Sequence, residues 1–265
     1  MEIIEIVGFI GAFVIGTVLG LLGGGGSILT VPLLVYLLSY NPIIATSYSL
    51  FVVGSSSVVG VIQKQREKLV DFKTGLAFSF PSFLAVYASR RYLVPNIPNE
   101  IFTLFDFTLT KNMAIMVFFA IIMLVAAASM INNNKTHETP FTKQPYYKTF
   151  IQGLIIGTTT GLIGAGGGFL YVPALVLWAG LTMKKAVATS LVIIAINSII
   201  GFIGDLHTLD IEWVFLLSFS GLTIFGILVG GYFSKFISNK ELKKWFGFFI
   251  LVMAIYIIIK EVSQK

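Results

Sequence analysis

The sequence predicts an all-α integral membrane protein: two inverted-topology repeats, each a broken helical hairpin followed by three transmembrane helices. Three observations carry that prediction. Apolar residues make up 56% of the 265-residue chain and charged residues only 11%, against about 25% charged in a typical soluble domain. Uncharged runs at Ile6–Gln63, Met113–Asn134 and Phe150–Met183 exceed the roughly 18 apolar residues that read as a membrane span. A glycine-rich pattern also occurs twice, the copies lying 141 residues apart, and such internal repeats decide the architecture of a chain before any single element does.

The first copy reads Gly16-Thr17-x-x-Gly20-Leu21-x-Gly23-x-Gly25-Gly26 and then Val31-Pro32-x-Leu34. The second reads Gly157-Thr158-x-x-Gly161-Leu162-x-Gly164-x-Gly166-Gly167 and then Val172-Pro173-x-Leu175. Beyond the glycines, Ala45-Thr46-Ser47 aligns with Ala188-Thr189-Ser190, Ser57–Gly60 with Ser198–Gly201, and Val70-Asp71-Phe72 with Leu209-Asp210-Ile211, at offsets between 139 and 143. The expected organisation is an N-terminal repeat at 1–131, a cytoplasmic linker at 132–148 and a C-terminal repeat at 149–265. The linker carries Asn132-Asn133-Asn134, Pro140 and Pro145, which is turn and loop chemistry.

Taken in order, Ile3–Leu22 is apolar and of span length, and Ile28–Leu38 is a shorter apolar piece ending at Ser39-Tyr40-Asn41-Pro42. As one helix, Ile3–Leu38 would run about 54 Å at 1.5 Å per residue, too long to cross a hydrocarbon core of about 30 Å once. Four consecutive glycines each cost a helix about 1 kcal/mol relative to alanine. A hairpin that enters and returns resolves both points, provided protein or a water-filled cavity surrounds the irregular backbone. Spans follow at Ile43–Ile62, Thr74–Leu93 and Lys111–Ile131. The second half repeats the plan, with Thr149–Gly164 and Phe169–Ala179 as its broken pair, then Met183–Ile203, Trp213–Phe236 and Leu242–Lys260. The opening Met1-Glu2-Ile3-Ile4-Glu5 is acidic, whereas a cleaved signal peptide begins with basic residues, so the first segment reads as a retained one.

Charge sets the expected topology. If each broken pair returns to its starting side, 13 of the 18 basic residues fall in loops on one side, and Arg90, Arg91, Lys111, Lys260 and Lys265 remain on the other with 8 of the 12 acids. If each pair crosses once, the basic residues divide equally. Only the returning hairpin obeys the positive-inside rule. It places three crossings in each half, which inverts the halves, puts both termini outside and leaves the linker cytoplasmic.

The site chemistry follows from what the spans lack. There is no cysteine, so thiolate metal sites are excluded. No Walker-type Gly-Lys-Ser/Thr is present, no Ser-His-acid or metal-ligating cluster occurs, and no cofactor is expected; the chain is not read as an enzyme or a nucleic-acid binder. The return helices, expected to begin near Ile28 and Phe169, would offer backbone N–H groups without intrahelical partners and about half a positive charge each. Two such ends facing one another make an anion site. The candidate substrate-binding residues are Gly24, Gly25, Gly26, Ser27, Thr46 and Ser47 in the first half and Gly166, Gly167, Gly168, Thr189, Ser190 and Asn197 in the second. Gly16/Gly20 and Gly157/Gly161, spaced by four, read instead as close-packing positions. Asp106 reads as a helix cap near Thr108–Lys111, His207 as a polar loop residue with a proton-sensing alternative, and Arg90-Arg91 as headgroup-level side chains with anion attraction as the alternative.

The doubled Gly-x-Gly-Gly-x-x-x-x-Val-Pro pattern, each copy followed by an Ala-Thr-Ser segment, resembles the TauE/SafE sulfite exporter family, also called the toluenesulfonate uptake permease family. The resemblance spans nearly the whole chain. It implies a multi-pass permease of sulfite, organosulfonates or related small anions, acting in the plasma (inner) membrane of a prokaryote; its partners are the small anionic substrate and the lipid bilayer, and a homodimer is an assembly to test. The copies differ: Ala165 stands where the first has Gly24, and Leu191 follows the second Thr-Ser pair where Tyr48 follows the first. An anion channel of the same architecture, or a membrane-embedded partner protein without transport activity, are the alternative readings.

Overall fold

The computed structural model describes residues 3–93, 96–98, 100–104, 107–132, 146–163, 168–205 and 211–263. Helix α1 (Ile3–Leu22) is apolar apart from Glu5 and Thr17 and stops at Gly23, whose φ of +68° only glycine adopts without strain. The glycines do not form an open loop: Gly23–Gly26 wind into a 3₁₀ turn that runs directly into α2 (Ser27–Pro32). Pro32 lacks the N–H an α-helix interior needs, and the helix continues through a π-turn at Leu33–Leu37.

Helix α3 (Pro42–Arg66) opens on proline, which suits the first helical position. It ends in a Schellman arrangement, with the Leu69 N–H on the Lys64 carbonyl (3.2 Å) and the Lys68 N–H on the Gln65 carbonyl (2.9 Å). Lys68 takes the left-handed position at φ +55°, where glycine is the usual occupant. Lys68→Gly is therefore expected to raise stability by about 0.5–1 kcal/mol, read as a higher unfolding midpoint in detergent; a lower midpoint would show that the lysine side chain carries the cap.

Asp71 caps α4 (Phe72–Ala88), its carboxylate accepting the Thr74 N–H at 3.1 Å, and a π-turn follows at Ser89–Leu93. A short antiparallel hairpin, β1 (Glu100–Leu104) with β2 (Phe107–Thr110), intervenes before α5 (Lys111–Asn132). The sequence reading missed this hairpin. The expected Asp106 cap lies outside the described residues, and α5 is capped by Thr110, whose hydroxyl accepts the Met113 N–H at 3.3 Å. In the second half come α6 (Tyr146–Ile163), α7 (Gly168–Leu177), α8 (Met183–Asp205), α9 (Trp213–Phe233) and α10 (Asn239–Ser263). A capping box starts α10: the Glu241 N–H donates to the Ser238 hydroxyl (3.2 Å) and the Ser238 N–H donates to the Glu241 carboxylate (3.1 Å).

Among the described residues, five helical stretches are long and apolar enough to cross a membrane: Ile44–Arg66, Met113–Asn132, Met183–Ile203, Trp213–Phe233 and Asn239–Lys260. Ile6–Leu22, Ser27–Leu37 and Gly168–Leu177 are shorter apolar helices. Large apolar side chains such as Val214, Leu217, Val252 and Phe225 point outward, as lipid contact requires. The protein is a multi-pass membrane protein.

Helices α3 and α8 pack together at the centre, α1 lies along α9, α6 lies along α4, and α5 pairs with α10. The glycines explain how closely α1 and α9 approach. A Cβ on Gly16 would land on the Thr223 carbonyl and one on Gly20 on the Ile227 carbonyl; from the other side, Gly226 and Gly230 meet the carbonyls of Phe13 and Thr17. In the α6–α4 pair, a Cβ on Gly157 would land on the Ser82 carbonyl and one on Gly161 would come within 2.9 Å of the Val86 carbonyl. Both members of each contact shift by the same 141 residues, so the two halves use the same packing surface. These four glycines thus pack helices, as their spacing predicted.

Lys64 departs from its expected place among loop cations. It is 2% exposed, and its Nζ donates to the Gly231 carbonyl (2.9 Å), to the Ser234 hydroxyl and to Glu67 (3.3 Å). Glu67 also meets Lys235 at 3.4 Å. The end of α3 is thereby tied to the end of α9.

Candidate functional site: the facing glycine turns

The two broken hairpins meet at their tips. A Cβ placed on Gly24 would fall on the backbone of Gly168, with the Phe169 nitrogen 2.6 Å away. One placed on Gly168 would lie 2.9 Å from the Ser27 hydroxyl and 3.0 Å from Ile194, the middle residue of α8. One placed on Gly23 would lie 2.7 Å from the Ser190 hydroxyl. Only a residue without a side chain fits at Gly24, where the obstruction is backbone; at Gly168 the side chains of Ser27 and Ile194 would have to give way. Gly24, Gly26, Ser27, Gly168 and Ser190 are all buried, so the arrangement is a closed one.

The start of each return helix differs from expectation. The Ser27 N–H is already bonded to the Gly24 carbonyl, and the Ser27 hydroxyl donates to the same carbonyl at 2.6 Å. The N–H that opens α2 is therefore bonded within the 3₁₀ turn, not free near Ile28 as expected. In the second half α7 is described from Gly168, with the expected start at Phe169 inside it. Gly166 and Gly167 lie outside the described residues, as do Gly164, Ala165, His137 and His207. Gly25 lies within the 3₁₀ turn, and Gly26 packs against the Ile15 carbonyl and Leu19 of its own hairpin.

The remaining candidates divide into three groups. Ser190 joins the turns, its hydroxyl donating to the Val187 carbonyl (2.8 Å) beside Gly23. Thr189, fully buried, accepts the Asp71 N–H at 3.1 Å. Thr46 and Ser47 sit in the first turns of α3, Ser47 fully buried and Thr46 partly so. Their expected correspondence to Thr189 and Ser190 is corrected by the hydrogen bonds. The Tyr48 hydroxyl accepts the Glu212 N–H at 2.7 Å, and both members of that bond lie 141 residues from Thr189 and Asp71. Tyr48 and Ser49 therefore match Thr189 and Ser190, Glu212 matches Asp71, and the offset is constant where the sequence comparison let it drift.

Asn197 belongs to a buried polar cluster. Its amide donates to the Tyr171 hydroxyl at 2.8 Å and to Ser82 at 3.4 Å, and the Tyr171 and Ser82 hydroxyls lie 2.6 Å apart. The cluster links α7, α4 and α8. Sequence reasoning missed Tyr171 and Ser82; the available signal was a tyrosine three residues past Gly168, where the first copy has Thr30. Tyr171 is fully buried, so Tyr171→Phe removes the shared partner of buried Ser82 and half-buried Asn197. The expected cost is about 1–3 kcal/mol, read as a lower unfolding midpoint; an unchanged midpoint would show that Asn197 and Ser82 satisfy each other.

These features define a polytopic membrane protein with a backbone-lined polar centre, the class of a membrane transporter. The chain belongs to the family described as sulfite exporter TauE/SafE, whose model matches residues 8–257. It is similar to a "Probable membrane transporter protein" of Xylella fastidiosa, 26% identical over 257 residues that cover 92% of this chain and 91% of the relative. It is also similar to "Probable membrane transporter protein YunE" of Bacillus subtilis, 27% identical over 267 residues covering 92% and 91%. A relative in Haemophilus influenzae is 26% identical over 262 residues covering 92% and 94%. No solved structure matches the chain significantly.

Proposed function

We propose that the protein is a secondary transporter that carries small sulfur-containing anions, such as sulfite or organosulfonates, by alternating access. The two repeats are inverted, both termini face outward and residues 132–148 face the cytoplasm. The observation that carries this reading is the meeting of Gly24 with Gly168 beside Ile194, halfway along α8. Transporters built from inverted repeats hold their solute near the bilayer midplane, between discontinuous helices. The reciprocal packing of α1 on α9 and α6 on α4 at a constant offset supports a pseudo-twofold relation between the halves.

The chemistry is that of peptide dipoles. A helix start contributes about 0.3–2 kcal/mol toward an anion, and the hydroxyls of Ser27 and Ser190, which donate to the Gly24 and Val187 carbonyls while the turns are closed, turn to the anion when the turns part. Since the turns are closed on each other, transport requires them to part, the α1–α9 and α6–α4 pairs moving as units around the site. A thermal-shift panel of purified protein against sulfite, sulfoacetate, taurine, thiosulfate and sulfate tests the reading. A bound anion raises the midpoint, by about 2.7 kcal/mol of stability at a hundred times its Kd. No shift with any member of the panel would count against an anion site.

A further inference from the structure

A cavity of about 320 Å³ opens beside the loop between α3 and α4, lined by Lys68, Leu69, Val70, Asp71, Phe72, Lys73 and Lys185. At roughly 30 Å³ per water, it has room for a hydrated small oxyanion. Lys68, Lys73 and Lys185 are exposed. The one acid in the lining is committed elsewhere: both Asp71 oxygens accept from Thr74, one from its N–H (3.1 Å) and one from its hydroxyl (2.7 Å). Among the described residues neither Lys68 nor Lys73 has a carboxylate partner. Lys68 keeps a charged side chain at a left-handed position that suits glycine.

The cavity also connects to the centre through the chain. The Asp71 N–H donates to Thr189, and the next residue, Ser190, lies against Gly23 of the turn. Among the described residues the matching mouth in the other half has no such cations. Around Glu212, which corresponds to Asp71, stand Tyr40, Tyr48, Phe215 and Trp213, with the Tyr40 hydroxyl donating to the Glu212 carboxylate at 3.2 Å.

We infer that this cavity is an anion-binding vestibule, a second oxyanion site in which Lys68, Lys73 and Lys185 collect a sulfonate- or phosphate-like group before it reaches Thr189 and the glycine turns. It rests on the transport reading only for the route of the anion inward. Three lysines against the one Asp71 carboxylate leave the recess net positive, and a net charge in a recess focuses its field and raises local counter-ion concentration and encounter rate by about 10-fold or more.

The chain has no cysteine, so Leu69→Cys introduces a single thiol into the cavity, and Phe72→Cys, at a more exposed position, serves as a second reporter. Full-length protein in zwitterionic lipid nanodiscs at low salt is treated with an anionic sulfonatoethyl methanethiosulfonate and with its cationic trimethylammonium counterpart, each rate normalised to a free thiol. The anionic reagent is expected to react on the order of tenfold faster, methanesulfonate to slow it, and the combined Lys68→Gln, Lys73→Gln and Lys185→Gln changes to remove the preference. If phosphatidylglycerol slows the reaction and methanesulfonate does not, the same site holds a lipid headgroup instead of a free anion. Equal rates, a preference that survives the Lys→Gln changes, or a preference that neither anion diminishes would overturn the site. Absence of sulfite flux would remove the transport reading and leave these rates intact.

Discussion

Gly24→Val is expected to abolish transport and to lower stability more than any other single change at the turns. The reason is geometric. A Cβ at Gly24 would overlap the Gly168 carbonyl group and press on the Phe169 nitrogen, and backbone cannot rotate away as a side-chain terminus can. Overpacking a filled interior costs about 1–3 kcal/mol; here, relief also requires the tips to stay apart, which removes the closed arrangement through which alternating access must pass. Gly221, whose added Cβ would meet nothing within 4 Å, is the control: Gly221→Val should stay within about 0.5 kcal/mol of the parent and keep its transport rate. Flux in proteoliposomes, with gel-filtration profiles to establish folding, distinguishes the two. Monodisperse Gly24→Val protein with normal flux would show that the contact is not needed.

Lys64→Met is the second large effect. Removing the ammonium leaves the Gly231 carbonyl with only the Ser234 hydroxyl (2.7 Å), and Glu67, whose side chain is 17% exposed, with Lys235 as its remaining cation. Breaking a buried pair by deleting one partner costs about 3–5 kcal/mol, with the lower part of that range applying because Glu67 keeps a second lysine. Lys235 is 46% exposed, so Lys235→Met should cost no more than about 1 kcal/mol. Unfolding midpoints of the two variants are compared in one detergent. A Lys64→Met protein as stable as Lys235→Met would show that the α3–α9 tie is solvated and weak.

The helices were legible because their lengths and apolarity are dictated by the bilayer. Ile3–Leu22, Lys111–Ile131 and Met183–Ile203 match the observed elements almost residue for residue. The packing role of Gly16, Gly20, Gly157 and Gly161 was legible for a similar reason, since their spacing by four has one dominant use in membranes. Less was legible where tertiary partners decide. Thr46-Ser47 and Thr189-Ser190 look alike as letters, yet the Asp71 and Glu212 N–H groups mark Tyr48 as the partner of Thr189. Lys64 reads as a loop cation because nothing in its neighbourhood announces that α3 extends to Arg66 and brings it under Gly231. The β1–β2 hairpin went unread because its pairing lies between short segments with mixed patterning. Tyr171 was passed over because one tyrosine in an apolar helix gives no sign of Ser82 and Asn197, 89 and 26 residues away.

The central claim is that the paired glycine turns handle an anion through their backbone. The most direct measurement is exchange of radiolabelled sulfite across proteoliposomes, comparing the parent chain with Gly24→Val and Gly221→Val. Exchange is expected to be saturable, faster with sulfite on the opposite side, kept by Gly221→Val and lost by folded Gly24→Val. Exchange no greater than in empty liposomes, or exchange that rises linearly with sulfite and is equal in folded Gly24→Val, would contradict the claim.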